Sequence, residues 1–386
     1  MVRRPPLWLA AAAVAAGWGA VYSIGRWLLE FAFSPVHEDV RITYVAAEAG
    51  LRYGWAHIYD LATLRALSNV FPAGEHQIDS SATYINPPLL AWLFAPLTAV
   101  PESVAYALFS LVLLAALVFA WYLAAPYAGL GKATLLLLAL ALWPVMLSFY
   151  FGQPSMLLLA LVAGSWWLCA HDRPLIAGVA LALATFLKPQ VVVLVPLALL
   201  VSGRYRAFFG WAAGCAVLGI ATIAALGVDG IASWWQALKY VQADPAHAYY
   251  TLAQPLGGGA LTYALWALQG AAALAVAWRR RAELEIVFTA GVLGSVAVAF
   301  HLHQADYSNL ILAGWLFLRT SPPLWQRLWL LAGVVTMQAL TLGPPTPQLL
   351  WDAAWLAILV VSSFFGSGAS DPATRPATAS GARAGT

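Results

Sequence analysis

Long apolar runs separated by short polar breaks dominate the chain, and their lengths predict its elements. The first begins at Leu7 and continues to about Tyr22. Others cover 103–124, 133–150, 153–170, 174–187, 190–202, 206–227, 259–278, 284–302, 307–318, 323–341 and 347–365. About 20 apolar residues cross a bilayer as a helix. The pattern therefore predicts an all-α polytopic membrane protein with about twelve transmembrane helices. Arg3-Arg4 and Ala13-Val14-Ala15 imitate a secretory leader. The apolar stretch runs on past them, so it reads as an uncleaved first helix with its N-terminus in the cytoplasm.

Two short runs complicate this count. Residues 88–100, bounded by Pro87-Pro88 and Pro101, are apolar but too few to cross. Counting them as a span would reverse every later loop, and the positive-inside rule opposes that. Without them, Arg3, Arg4, Lys132, Arg173, Arg204, Arg206, Arg279 to Arg281, Arg319, Arg327, Arg375 and Arg383 fall on the cytoplasmic side, and most acidic residues fall outside. The segment 88–100 is accordingly expected to be a re-entrant or interfacial helix. The run 190–202 is also short, and with 174–187 it predicts a bent pair meeting at Lys188-Pro189.

Two stretches of ordinary polarity are expected on the outer side, 34–87 and 228–258. In the first, Val40, Tyr44, Ala47 and Leu51 recur at helical spacing, which predicts a helix over 40–52 lying on the membrane surface. The whole of 1–365 reads as one membrane-embedded domain. The tail 366–386, rich in Ser, Ala, Gly, Thr and Pro, is expected to be a disordered cytoplasmic extension.

Composition sharpens the class. Of 386 residues, 62% are hydrophobic and 9% charged, whereas a soluble domain carries about 25% charged residues. Nineteen Trp and fifteen Tyr suit two interfacial aromatic belts. With a net charge of +3 and no long basic run, nucleic acid is not an expected partner. Cys169 and Cys215 both lie in apolar runs, so neither a disulfide framework nor a four-ligand metal site is expected. Gly257-Gly258-Gly259 lacks the Gly-Lys-Ser/Thr of a phosphate loop, and no Gly-x-Ser-x-Gly occurs. No nucleotide or other cofactor is implied.

Charges near a bilayer are costly, which makes each a candidate for function. Asp39, after His37-Glu38, could act as a general base in the interface, or simply favour the first turn of the 40–52 helix. Lys188 before Pro189 could hold a lipid phosphate or could snorkel to the headgroups. His301, His303 and Asp306 make a polar cluster between two apolar runs. On a helix, histidines two apart point nearly opposite ways, so phosphate or sugar binding is preferred to a metal, with plain loop polarity as the alternative. Gln153, in the break Gly152-Gln153-Pro154, carries amide donors and an acceptor suited to sugar hydroxyls, although such a turn needs no function.

Taken in order, several of these pieces resemble one family. Asp39-Val40-Arg41 leads into Tyr44-Val45-Ala46-Ala47-Glu48-Ala49-Gly50-Leu51 and Ile58-Tyr59-Asp60. Then come Tyr84-Ile85-Asn86-Pro87-Pro88, Ala95-Pro96-Leu97, Phe151-Gly152-Gln153-Pro154, Ala177-Gly178 and Phe186-Leu187-Lys188-Pro189. The succession is similar to the glycosyltransferase 87 family, of GT-C fold. The resemblance implies a plasma-membrane hexosyltransferase, mannosyl in that family's pattern, with both termini cytoplasmic. Such an enzyme moves a sugar from a polyprenyl-phosphate donor to a lipid or glycan acceptor on the outer face. It also implies that Asp39 occupies the place of the family's catalytic aspartate. The family commonly has an aromatic residue four positions later; here Thr43 stands there and Tyr44 follows, so Glu38 is held in reserve. Lys188, His301, His303, Gln153 and Asp306 are then the expected donor phosphate or sugar ligands. The rival from another class is a transporter or flippase of a lipid-linked sugar. Asp352, inside the last run, is the residue that speaks for it.

Overall fold

The structure is a computed structural model describing residues 5–33, 38–68, 83–243 and 248–365, without the side chain of Glu38. Among these residues every regular element is helical. The long helix α1 (Leu7–Phe33) precedes three short ones, α2 (Glu38–Tyr53), α3 (Leu61–Ser68) and α4 (Pro88–Phe94), the last extended by a 3₁₀ turn over Ala95–Ala99. Then follow α5 (Glu102–Ala124), α6 (Gly129–Ala141), α7 (Trp143–Phe151), α8 (Ser155–Ala170), α9 (Pro174–Leu187) and α10 (Leu194–Val201). The remainder comprises α11 (Tyr205–Ala243), α12 (Ala253–Leu256), α13 (Ala260–Arg279), α14 (Leu284–Ala297), α15 (Asn309–Arg319), α16 (Leu324–Ala339) and α17 (Thr346–Phe364).

Among the described residues, five helices are long and apolar enough to cross a membrane: α1, α5, α11, α13 and α17. The pair α6 and α7, bent by 58° at the break between them, would make a sixth. Every other apolar run is also helical but shorter. α11 is broken at Gly227, whose φ of 62° and ψ of −171° are not helical. Residues 88–99 form a short helix, as the proline-bounded run predicts. The helical course also stops at Lys188 (φ −158°, ψ 88°), separating α9 from α10.

Burial sorts the helices into a centre and a rim. Every residue of α14 from Ile286 to Ala297 is buried. By contrast, α1 exposes Trp18 and Val21, and α11 exposes Val217, Ile220 and Ile223. Water-facing surfaces do not carry apolar bands of this extent, whereas lipid-facing ones do. These apolar helices mark the chain as a multi-pass membrane protein. Close contact between α9 and α11 depends on glycine: a Cβ on Gly178 would lie 2.2 Å from Ala207 O, and one on Gly210 would lie 2.4 Å from Leu175 O. Helices approach this closely in membranes through small residues.

The helix α2 departs from the surface-lying helix that its spacing suggests. Val40, Tyr44 and Ala47 are buried, but so are Arg41, Ile42, Thr43, Val45 and Ala46, while Leu51 is exposed. The helix is enclosed by protein rather than laid on lipid. Its Arg41 is tolerated inside because Nε lies 3.5 Å from Glu102 Oε2 at the start of α5, a partner far away in sequence. Tyr44 donates to Val100 O at 2.9 Å. Its phenol is raised above the ordinary value, chiefly by burial, so it remains a donor at neutral pH.

Candidate active site

At one end of the bundle, the ends of α7, α9 and α14 and the first turn of α2 surround a cavity of about 420 Å³. Arginines and lysine gather at the opposite end. There Arg204 donates to Arg281 O at 2.8 Å, Lys132 donates to Tyr122 O at 2.8 Å, and Arg319 lies 4.8 Å over the Trp166 ring.

Five residues singled out in the sequence line this cavity: Asp39, Gln153, Lys188, His301 and His303. Three of them are linked directly. Gln153 Nε2 donates to Asp39 Oδ2 at 2.7 Å, and Lys188 Nζ donates to Gln153 Oε1 at 3.0 Å. An ammonium can only donate, so it fixes which end of the Gln153 amide is the oxygen and turns the NH₂ toward Asp39. The aspartate therefore accepts a hydrogen bond from the amide.

A left-handed turn makes this linkage possible. Gly152 ends α7 at φ 69°, and a Cβ there would sit 2.1 Å from Val40 Cγ2. Only glycine combines that backbone conformation with so close an approach of α2. The neighbours of the touching pair, Asp39 and Gln153, are thereby brought within reach of each other.

Lys188 is buried rather than snorkelling to the headgroups. Its Nζ lies 2.6 Å from Asp306 Oδ1, with 6% of the Lys188 side chain and none of the Asp306 side chain exposed. The other oxygen, Asp306 Oδ2, accepts from the His303 backbone N–H at 2.9 Å. Asp306 thus stands behind Lys188 and does not line the cavity. It was expected among the ligands, but its burial makes it the counter-charge that holds the lysine. Gln153 takes one of the ammonium's three N–H groups and Asp306 balances its charge.

The segment 300–303 is not helical, so the helical argument that separated the histidines does not apply. The rings of His301 and His303 stand 5.0 Å apart, edge to face, on the same cavity. Among the described residues no three His, Cys, Asp or Glu side chains gather as a metal site would require. The Glu38 side chain lies outside the described residues.

Several lining groups carried no signal strong enough to select them. Asn86 sits inside a motif otherwise read for its prolines, and Gln190 follows Lys188 by two positions. Trp234, Gln242 and Thr43 complete the polar and aromatic wall. Trp234 is held by its Nε1, which donates to Ile85 O at 2.9 Å, and by Tyr59, stacked at 5.4 Å and 11°. Tyr59 in turn donates to Asn86 O at 2.7 Å. Burial keeps its phenol well above the usual range, hence protonated.

A helical membrane bundle with a charged cavity at one end defines the class. The sequence profile of glycosyltransferase family 87 matches residues 84–322, and the chain belongs to that family. It is therefore a membrane glycosyltransferase. No curated protein and no solved structure matches it. The matched span contains Gln153, Lys188, His301, His303 and Asp306, while Asp39 precedes it.

Proposed function

We propose that the protein is an inverting hexosyltransferase of GT-C type, with about twelve membrane crossings, cytoplasmic termini and its cavity facing outward. The donor is a polyprenyl-phosphate sugar, most simply a mannosyl donor, and the acceptor is a lipid or glycan hydroxyl. Concentration of basic residues at the end opposite the cavity supports this orientation in the cell membrane. The short runs, 8 to 16 residues in α8, α9, α10, α14, α15 and α16, count as crossings in this reading, and 1–365 as one embedded domain.

The observation that carries the proposal is the chain of contacts from Asp39 through Gln153 to Lys188, all on one cavity. In the transfer step the acceptor oxygen attacks the anomeric carbon as the bond from that carbon to the phosphate oxygen breaks. Asp39 takes the acceptor's proton, and the electron pair leaves with the polyprenyl phosphate. The departing anion is stabilised by a Lys188 N–H and by His301 or His303. Fixed donors suit this task because they need no reorganisation. Since phosphate leaves as a stable anion, a metal would help the step but is not required.

A charge count on the site explains the histidines. Asp306 neutralises Lys188, so an incoming phosphate needs further donors, and the two imidazoles are the neighbouring groups able to supply them.

The test is transfer by full-length protein in liposomes given a radiolabelled polyprenyl-phosphate hexose and a panel of glycan and lipid acceptors. Label appearing in an acceptor supports the proposal. Label crossing the bilayer on the intact donor, without transfer, would favour the transporter instead.

A further inference from the structure

Resting on the reading of the cavity as the transfer site, the geometry points to Trp234 as the platform on which the apolar face of a substrate pyranose ring stacks. Three rings form a ladder. Tyr84 and Tyr59 stack at 5.4 Å and 28°, and Tyr59 and Trp234 at 5.4 Å and 11°. Each rung is tied to one backbone stretch. Tyr84 donates to Pro87 O at 2.9 Å and accepts from Ala91 N at 3.1 Å, Tyr59 donates to Asn86 O, and Trp234 donates to Ile85 O.

The two tyrosines are buried, and only the last ring reaches the cavity. Its single polar group is already committed to Ile85, so what Trp234 offers a ligand is rigid apolar ring surface. Aromatic rings attract the electropositive C–H face of a sugar as they attract the edge of another ring. Asn86, Gln190 and Gln242, which line the same cavity, supply amides for the hydroxyl groups around that ring. A lipid tail would need no such amides, and a bare phosphate would gain nothing from the indole. A pyranose needs both, and it is supplied either by the donor or by a glycan acceptor.

The experiment uses full-length protein in nanodiscs with three variants. Trp234→Leu keeps apolar bulk but loses the ring, Trp234→Phe keeps a ring, and Trp235→Leu changes the exposed neighbour. Kinetics are measured with donor and acceptor varied in turn. The platform predicts that Trp234→Leu raises one sugar substrate's KM about two- to tenfold with little change in kcat. Trp234→Phe should recover most of this loss, and Trp235→Leu should match the wild type. A rise confined to the donor assigns the platform to the donor's sugar, and one confined to the acceptor assigns it to the acceptor's. Unchanged KM values, or an equal rise in both, overturn the platform and leave glycosyl transfer standing.

Independently of turnover and of the Leu variant's folding, 5-fluorotryptophan-labelled protein is titrated with methyl hexopyranosides. The ¹⁹F resonance missing from Trp234→Phe should move in the wild type; a resonance that stays fixed overturns the platform. Wild-type protein that binds sugar in this way but transfers none would instead overturn the transfer reading.

Discussion

Lys188 and Asp306 form an ion pair inside the protein, Nζ to Oδ1 2.6 Å, with the carboxylate fully hidden and the ammonium at the cavity wall. Removing one member of a buried pair strands the other and costs about 3–5 kcal/mol, whereas replacing both by apolar groups can be nearly neutral. Lys188→Met should therefore lower thermal stability and abolish useful donor binding. Lys188→Met combined with Asp306→Leu should regain much of the stability but none of the donor affinity. Recovery of both together would make Lys188 a purely structural residue.

Gly152→Ala should disturb the site through the backbone. An alanine at φ 69° costs about 1–2 kcal/mol, and its Cβ would collide with Val40 Cγ2. Turnover should fall, and Val40→Ala should recover part of the loss by removing the collision while the dihedral strain persists. Activity in Gly152→Ala equal to wild type would show that the Asp39–Gln153 contact does not depend on this turn.

How much of this was legible in the sequence depends on distance along the chain. The apolar runs and polar breaks located the helices, the stop at Lys188 and the turn at Gly152. They also marked Asp39, Gln153, Lys188 and the two histidines as outlying polar residues. Helical spacing reported one face of α2, but not that Arg41 on another face is covered, because its partner Glu102 sits at the head of a different helix. Likewise, nothing local reveals that Gln153 bridges an acid and a cation, or that Asp306 faces Lys188 rather than the cavity. Helical geometry does not govern the two histidines, because the segment 300–303 is not helical. Length is the remaining difference: many apolar runs form helices too short to be recognised as crossings by length.

Glu102→Gln tests the enclosure of α2. It leaves Arg41 without its carboxylate in a buried place, so the helix carrying Asp39 should loosen. The expected result is lower thermal stability, by up to about 3–5 kcal/mol, with turnover reduced as well. Arg41→Met with Glu102→Leu should restore stability. A stable and fully active Glu102→Gln protein would mean the pair does not hold α2.

Orientation is open to direct labelling. With Cys169 and Cys215 first replaced by Ser, a cysteine at Lys239 should react with an impermeant maleimide applied outside cells, and one at Arg280 should react only after permeabilisation. Both side chains have exposed surface, so access rather than burial governs the outcome. The reverse pattern would place the cavity on the cytoplasmic side.

The most direct test of the central claim is the turnover number of Asp39→Asn. The amide preserves shape and, with its oxygen turned to Gln153 Nε2, still accepts that hydrogen bond, but it cannot take a proton from the acceptor. General-base catalysis contributes about 10²–10⁴-fold. The account predicts a fall of at least about a hundredfold in kcat, with folding, membrane insertion and donor binding retained. A fall of less than about tenfold would contradict Asp39 as the base and pass the role to another group.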